Sequence, residues 1–275
     1  MKTAIAFALA LMAGGAISTA ANAAWVVTYE GEAPGVQNTT ATFTTGGVET
    51  FDTQPVHGYP SSLTTNFGTS GAGSTITGTY SAGGKGIQIN SADQFGGAGG
   101  DSNYIVAFPN TPYTLSLKSD IKGGVNYFGF WLSALDKGNT LTFSDANGKD
   151  LFTFNPQDVI NAIDTTKTPS QYYGNPTADF HGQDKNEPFV FLNFFDTTGS
   201  FNKITFKEVN FGGGYESDNH TVGHYLTMGQ GTTVPLTLSG GAVPEPEAWT
   251  LMIVGIGAVG GVLRRRRQVT LAVAA

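Results

Sequence analysis

The 275-residue chain contains no cysteine, and its only arginines are four consecutive residues, Arg264, Arg265, Arg266 and Arg267. The absence of cysteine excludes disulfide bridges, thiolate zinc sites and a cysteine nucleophile. A chain of this length must therefore be stabilised by its own hydrophobic core, and the central part is long enough to form one sizeable domain.

Positive charge is scarce between the two termini. Removing Lys2 and the arginines from the 14 basic residues, and Glu245 and Glu247 from the 21 acidic residues, leaves 9 lysines and 19 carboxylates, a net charge near −10. Nucleic acids and anionic lipid surfaces bind clustered cations, so neither is an expected partner. Neutral glycans and divalent cations remain open as ligands.

The N-terminus has the three parts of a secretory signal peptide. Lys2 supplies the positive charge, residues 4–13 are apolar, and Ala21-Asn22-Ala23 is a small-residue cleavage site. The sequence therefore predicts a signal peptide over residues 1–23 and an exported chain that starts at Ala24.

The C-terminus combines a turn, an apolar run and a basic cluster. The turn Pro244-Glu245-Pro246 precedes an apolar segment of residues 248–263, which begins with Ala248 and Trp249 and ends at the four arginines. A helix of this length spans about 24 Å, short of a hydrocarbon core of about 30 Å. The segment is therefore expected to reside in the membrane only briefly, with its basic end in the cytoplasm; a permanent single-span anchor is the alternative.

These parts, in this order, resemble the PEPxA variety of the PEP-CTERM sorting signal, here over residues 243–267, with residues 268–275 as a tail. The resemblance implies that a membrane-embedded exosortase recognises the signal and removes it during export to the cell surface or extracellular matrix, through a transient inner-membrane intermediate. It covers roughly the last tenth of the chain and describes the destination of the protein, not the activity of its body.

The composition of the chain favours an all-β fold for the body, because the whole sequence has 38 glycines, which supply turns, and 12% aromatic residues, which favour strands. We predict a jelly-roll-like β-sandwich over residues 24–225 and a polar linker over 226–242. Residues 140–144 and 151–154 are predicted to form a hairpin around Asn147-Gly148. Residues 202–206 show strand alternation, residues 156–163 are expected to form a short helix, and residues 164–188 a long polar loop.

A second resemblance covers about half of the body. The blocks at residues 94–100, 127–131, 201–206 and 216–219 resemble a group of exosortase-dependent bacterial surface proteins. The resemblance implies an exported β-sandwich with no assigned enzymatic activity. His220 departs from the group, which usually carries an aliphatic residue at this position.

Two kinds of binding site can be predicted in the body. If the first and last strands lie side by side, as in many jelly-roll glycan-binding modules, Glu30 and Asp218 can share one structural Ca²⁺; otherwise these acids are solvated or cap turns. Tyr172 and Tyr173, expected to be exposed in the long loop, are the better candidates for sugar stacking. Tyr59 is a further candidate, whereas Trp131 is expected in the core.

The sequence lacks the Gly-x-Ser-x-Gly and His-Glu-x-x-His motifs of hydrolases. The preferred interpretation is a non-enzymatic surface or matrix protein associated with extracellular polysaccharide. A carbohydrate-binding module is the alternative. A secreted glycoside hydrolase is the third, and it requires two carboxylates that converge in one cleft.

If the C-terminal signal is removed during export, the mature protein lacks the apolar segment and the arginines. Mass spectrometry of the protein isolated from its native host should give a C-terminus close to Pro244-Glu245-Pro246. Recovery of envelope-bound protein that retains Trp249 and the arginines would identify a permanent anchor instead.

Overall fold

The computed structural model of the chain describes residues 25–30, 38–69, 75–84, 86–209 and 213–237. Numbered along the chain, the strands within these residues are β1 Trp25–Tyr29, β2 Thr42–Glu49, β3 Ser62–Thr69, β4 Thr75–Ala82, β5 Gln88–Asn90, β6 Tyr104–Ala107, β7 Tyr113–Ser119, β8 Tyr127–Leu132, β9 Asn139–Ser144, β10 Asp150–Phe154, β11 Val190–Asp196, β12 Lys203–Glu208, β13 Tyr215–Thr227 and β14 Thr232–Thr233. One α-helix, α1, spans Pro156–Asp164, and short 3-10 helices span Ala98–Gly100, Pro169–Gln171 and Ala178–Phe180.

The strands form two antiparallel sheets that face each other. The larger sheet has the order β14-β1-β11-β8-β13-β6-β5, with β2 also paired to β13, and the smaller has the order β10-β9-β12-β7-β4-β3. This arrangement confirms the predicted all-β sandwich. The predicted signal peptide and sorting segment lie outside the described residues, and none of the helices within those residues has the length and apolar character needed to cross a membrane.

The core between the sheets is built mainly from aromatic rings. Phe128 of the larger sheet meets Phe206 of the smaller sheet edge to face, with ring centroids 5.8 Å apart, and Trp25 stacks on Phe152 at 4.9 Å. Burying a side chain of this size contributes about 1.5–3 kcal/mol, which replaces the stabilisation that disulfides would give.

Strand β13 changes its neighbour partway along its length. Its first residues, Tyr215 to Ser217, pair with β6, whereas the part from His220 onward pairs with β2. The change coincides with an irregularity between Asp218 and Thr221 in the pairing with β8, where Asn219 has a φ of 50°. This bulge turns His220 into the core and leaves Glu216 and Asp218 on the outer face.

His220 occupies the centre of the aromatic core. Its ring is stacked on Phe206 at 5.1 Å, its Nδ1 lies 3.1 Å from the Tyr80 hydroxyl, and its Nε2 lies 3.0 Å from the Ser217 hydroxyl. Burial lowers the pKa of His220 to about 3, so the imidazole is neutral. The two hydrogen bonds explain how a polar ring replaces the aliphatic residue expected here.

The local predictions for residues 139–164 are confirmed. The hairpin of β9 and β10 turns at Gly148, with a φ of 83°, but Asn147 does not adopt a positive φ. Instead the Asn147 backbone N–H donates to the Asp145 carboxylate at 2.8 Å, which closes the turn. Helix α1 begins after Asn155, whose side chain accepts a hydrogen bond from the Gln157 N–H.

The predicted boundary between domain and linker at residues 225 and 226 is wrong. Strand β13 continues to Thr227, and β14 pairs with β1. Val234 is buried in the core, and the Thr237 N–H donates to the Asp158 carboxylate at 2.9 Å. The polar composition of this segment concealed its apolar residues Met228, Val234 and Leu236, which pack against the hydrophobic clusters of the domain.

We expect His220→Leu to reduce the free energy of unfolding at neutral pH by about 1–3 kcal/mol, because the buried Tyr80 hydroxyl loses its partner. As the pH falls from 6.5 towards 3, the unfolded chain takes up a proton that the buried imidazole does not, so the wild type loses stability. Thermal melts should show a smaller acid-induced decrease for the variant.

Tyr80→Phe is the control for this prediction. It removes the same hydrogen bond but keeps the imidazole, and so should retain the acid sensitivity of the wild type. If the melting temperatures of His220→Leu and wild type change in parallel with pH, His220 is not the source of the acid sensitivity.

Candidate functional site

The predicted calcium pair is not brought together. Strands β11 and β8 lie between β1 and β13, which places Glu30 and Asp218 about 14 Å apart across the sheet. The aromatic side chains of Phe191 and Trp131 fill the outer face between them. Side-by-side packing of the first and last long strands was the wrong assumption behind this prediction.

Each of these two carboxylates has partners of its own. Glu30 accepts hydrogen bonds from the Asn193 amide at 3.0 Å and the Thr40 backbone N–H at 3.2 Å. Asp218 accepts from the backbone N–H groups of Ala98 at 2.9 Å and Asn219 at 2.6 Å. Both side chains therefore tie loops to the outer face of the larger sheet.

The two predicted stacking tyrosines have different environments. Tyr172 is 4% exposed and packs edge-on against Tyr29, with ring centroids 5.8 Å apart, so its predicted surface position is wrong. Tyr173 is half-buried and its hydroxyl donates to the Asp164 carboxylate at 2.8 Å. Of the pair, only Tyr173 remains a candidate for ligand contact.

Three cavities near one end of the larger sheet share lining residues, and together they are here called the groove. The central cavity, of about 340 Å³, is lined by Asn90, Asp93, Phe95, Tyr104, Phe108, Ala134, Asp136, Glu187, Gly213, Gly214 and Glu216. It shares Phe108 with a cavity of about 490 Å³ that contains Tyr59, here called the Tyr59 cavity. It shares Asp136 and Glu187 with a cavity of about 360 Å³ that contains Tyr173, here called the Tyr173 cavity.

The strand order brings the acidic side chains of the central cavity together. Asp136 follows the end of β8 and Glu187 precedes β11, and these neighbouring antiparallel strands bring both residues to the same end of the sheet. The Leu135 N–H donates to the Pro188 carbonyl at 3.0 Å, which fixes the two loops side by side. Glu216 extends from the outer face of β13, opposite Val106.

Asp93 forms the opposite wall of the central cavity and is held in place by three donors. Its carboxylate accepts hydrogen bonds from the N–H groups of Phe95 at 2.8 Å and Gly96 at 3.2 Å. The Tyr104 hydroxyl donates to it at 3.0 Å. The turn that contains Asp93 thereby presents the Phe95 ring, 40% exposed, at the rim of the cavity.

Glu216 is the most buried of these acids. It is 7% exposed, and within the described part of the chain its side chain accepts a hydrogen bond only from its own backbone N–H. Burial raises its pKa to about 8, with further contributions from the charges of Glu187, Asp136 and Asp93. A carboxyl group in this position is largely protonated at neutral pH.

The neighbouring acids are perturbed in the same direction. Burial, together with the charges of Asp136 and Asp184, raises the pKa of Glu187 to about 7. Burial also raises the pKa of Asp136, and that of Asp184, where the charge of Asp93 adds to the effect. The raised pKa values of Glu216, Glu187 and Asp136 therefore favour the protonated forms of these lining residues in the empty cavity.

Within the described part of the chain, no basic side chain lines the central cavity itself. The described residues that line the central cavity include no lysine, arginine or histidine. Among the residues that the structure describes, no group of three or more histidine, cysteine, aspartate or glutamate side chains is arranged to hold a metal ion. At Gly213, an added Cβ would lie 2.6 Å from the Asp136 carboxylate, so this glycine gives the carboxylate the space it occupies.

Sequence reasoning missed the central cavity, because its four acids come from four separate segments of the chain. None of the four is a predicted site residue, although Glu216 lies two residues from Asp218 in the last long strand. A signal was present in the positions of Asp136 and Glu187, which flank two strongly apolar strands. Tyr59, named as a stacking candidate, is 50% exposed at one end of the groove.

The fold and the tail together define an exported β-sandwich protein. Residues 242–267 match the model of the PEP-CTERM protein-sorting motif, which lies beyond the last described residue. This match confirms the PEP-CTERM resemblance of the tail but does not distinguish its PEPxA variety, and it indicates an exosortase-dependent protein that is exported to the cell surface. A comparison with curated protein sequences gave no match.

Among solved structures, the K2 cleaved adhesin domain of Lys-gingipain is similar to the chain, with 15% identity and a TM-score of 0.36. The alignment covers 64% of this chain and 98% of that domain. A similarity of this degree supports no functional inference.

We expect Glu216→Gln to reduce the loss of stability that the wild type shows as the pH rises from 4.5 to 8. The folded-state pKa of about 8 lies above the ordinary value of 4.5, so Glu216 favours folding below pH 4.5 and this stability is lost as the pH rises through 8. Glutamine does not ionise. The melting temperature of the variant relative to wild type should therefore rise between pH 4.5 and 8.

Asp179→Asn is a matched control, since Asp179 is exposed in a short 3-10 helix. The difference in melting temperature between Asp179→Asn and wild type should stay constant across the same pH range. A constant difference between Glu216→Gln and wild type would show that Glu216 does not ionise differently in the folded chain.

Proposed function

We propose that the protein is a non-enzymatic surface or matrix protein that binds extracellular polysaccharide along the groove. The observation that carries this proposal is the series of aromatic rings that follows the three adjoining cavities. Tyr59, Phe108 and Phe95 are 50%, 37% and 40% exposed, and Tyr173 lines the far end.

This combination of side chains suits a sugar polymer. Sugar rings present apolar C–H faces and hydroxyl edges, and binding sites for small polar ligands combine aromatic walls with a few directed polar groups. In the groove, the aromatic rings provide the walls, and Asn90, Gln88 and the carboxyl groups provide hydrogen-bond partners. An elongated site of several cavities fits a chain better than a single small molecule.

The sorting motif supports the same function. In this proposal an exosortase removes the C-terminal segment after a transient stage in the inner membrane, and the body is delivered to the layer in which extracellular polysaccharide lies. Its net charge near −10 and lack of arginine argue against nucleic acid and anionic lipid as competing partners.

A second candidate is hydrolysis of the polysaccharide, because Glu187, Glu216 and Asp136 converge in one cleft. Glycoside hydrolysis needs one protonated and one ionised carboxyl group, which requires environments that move the two pKa values apart. Here the pKa values of Glu187 and Glu216 are both raised, to about 7 and 8.

We expect Tyr59→Ala and Tyr173→Ala each to weaken binding of the protein to extracellular polysaccharide from its host by about tenfold, since each removes an aromatic contact worth roughly 0.5–1.5 kcal/mol beyond its area. Affinity electrophoresis measures the effect. Leu226→Ala is the control, because Leu226 is 61% exposed and lies away from the groove.

Unchanged retardation of both tyrosine variants would contradict the groove as the binding site. Release of new reducing ends from the polysaccharide, abolished in Glu187→Gln, would establish the second candidate in place of the first.

A further inference from the structure

Among the described residues, the acidic side chains of the groove lie in its middle. The described lining of the Tyr59 cavity consists of Tyr59, Gly84, Gly86, Gln88, Val106, Phe108, Pro109 and Thr111, none of which is charged. The Tyr173 cavity includes Lys137, which offsets part of the negative charge that it shares with the central cavity. Only the central cavity combines several acids with no basic lining residue among those described.

The central cavity also contains a polar group that lacks a partner from another residue. The Glu216 carboxyl is more than nine-tenths buried, lines the cavity, and accepts no hydrogen bond from another described residue. A ligand with a positively charged donor would give this carboxyl the partner that the described residues do not provide.

We propose that the central cavity binds the ammonium group of an amino sugar, while the flanking cavities take neutral sugar units of the same polymer. This inference rests on the proposed polysaccharide-binding function and specifies the chemical class of the ligand. Glu216 is the main acceptor, and Asp136 and Glu187 complete the anionic wall.

The aromatic rim favours the same ligand. Phe95 and Phe108 border the cavity, and an ammonium group within about 6 Å of an aromatic ring gains electrostatic stabilisation from the ring face. Calcium needs six or more converging oxygen ligands, and the described acids are not arranged to hold a metal ion. A lysine-rich peptide would satisfy the charge of the central cavity but leaves the Tyr59 cavity, whose described lining residues are uncharged, without a matching group.

Ammonium binding must displace protons. In the empty cavity the raised pKa values of Glu216 and Glu187 keep both groups partly protonated near neutral pH. A bound cation stabilises the ionised carboxylates, so their pKa values fall and protons are released to the buffer. Asp93, Asp136, Asp184 and the Tyr104 hydroxyl are the other titratable groups that act on these two.

The test is isothermal titration calorimetry of the purified protein at neutral pH, in two buffers with different ionisation enthalpies. The probes are the host polysaccharide before and after chemical N-acetylation of its free amines, which removes the positive charge and keeps the sugar chain. We expect N-acetylation to weaken binding at least tenfold, and proton release to accompany binding of the untreated polymer alone.

Glu216→Gln should lose at least tenfold in affinity for the untreated polymer, release fewer protons, and bind the N-acetylated polymer as wild type does. Asp179→Asn should match wild type in all of these. Equal affinity for both polymers, an equal loss for both in Glu216→Gln, or tighter binding of a lysine-rich peptide than of either polymer would overturn the amino-sugar proposal.

These outcomes separate the two proposals. If wild type binds both polymers equally and Tyr59→Ala weakens both, the groove binds polysaccharide and only the amino-sugar assignment fails. If neither polymer binds, the proposed function fails with it.

Discussion

The exchange of partners by β13 is the constraint on which the structure depends. A regular strand would keep one neighbour along its length, and its side chains would alternate without interruption. The bulge between Asp218 and Thr221 lets β13 leave β6 for β2 and points His220 into the aromatic core. Glu216 precedes the bulge and faces outward by strand alternation, so the hydrogen bonds of His220 and the most buried acid of the groove lie on one strand, on either side of the bulge.

The stability of the aromatic core offsets the unfavourable burial of the acidic side chains in the groove. Dense aromatic packing, in which the Phe128 ring contacts those of both Phe143 and Phe206, stabilises a body that has no disulfides. Against this background, the buried carboxyl of Glu216 is tolerated in protonated form. Buried acids without a counter-charge are unfavourable for stability and typical of sites that bind ligands or do chemistry.

Sequence patterns predicted the strands and turns that are determined by residues close together in the chain. The alternation of Ile204 and Phe206 with lysines and a threonine located β12, and Asp145 to Gly148 located the hairpin. Features that depend on distant segments were not predicted. Tyr172 is buried because β1 brings Tyr29 against it, and the four acids of the central cavity meet only through the strand order. Strand β3 was missed because its only large apolar residues are Leu63 and Phe67.

The central claim is that polysaccharide lies in the groove, and hydroxyl-radical footprinting with mass spectrometry measures this directly at Tyr59, Phe95 and Phe108. The account predicts that host polysaccharide protects these three exposed rings from oxidation, while the more exposed Leu226 is oxidised as before. Unchanged oxidation of all three rings in the presence of bound polysaccharide, or protection confined to other surfaces, would contradict it.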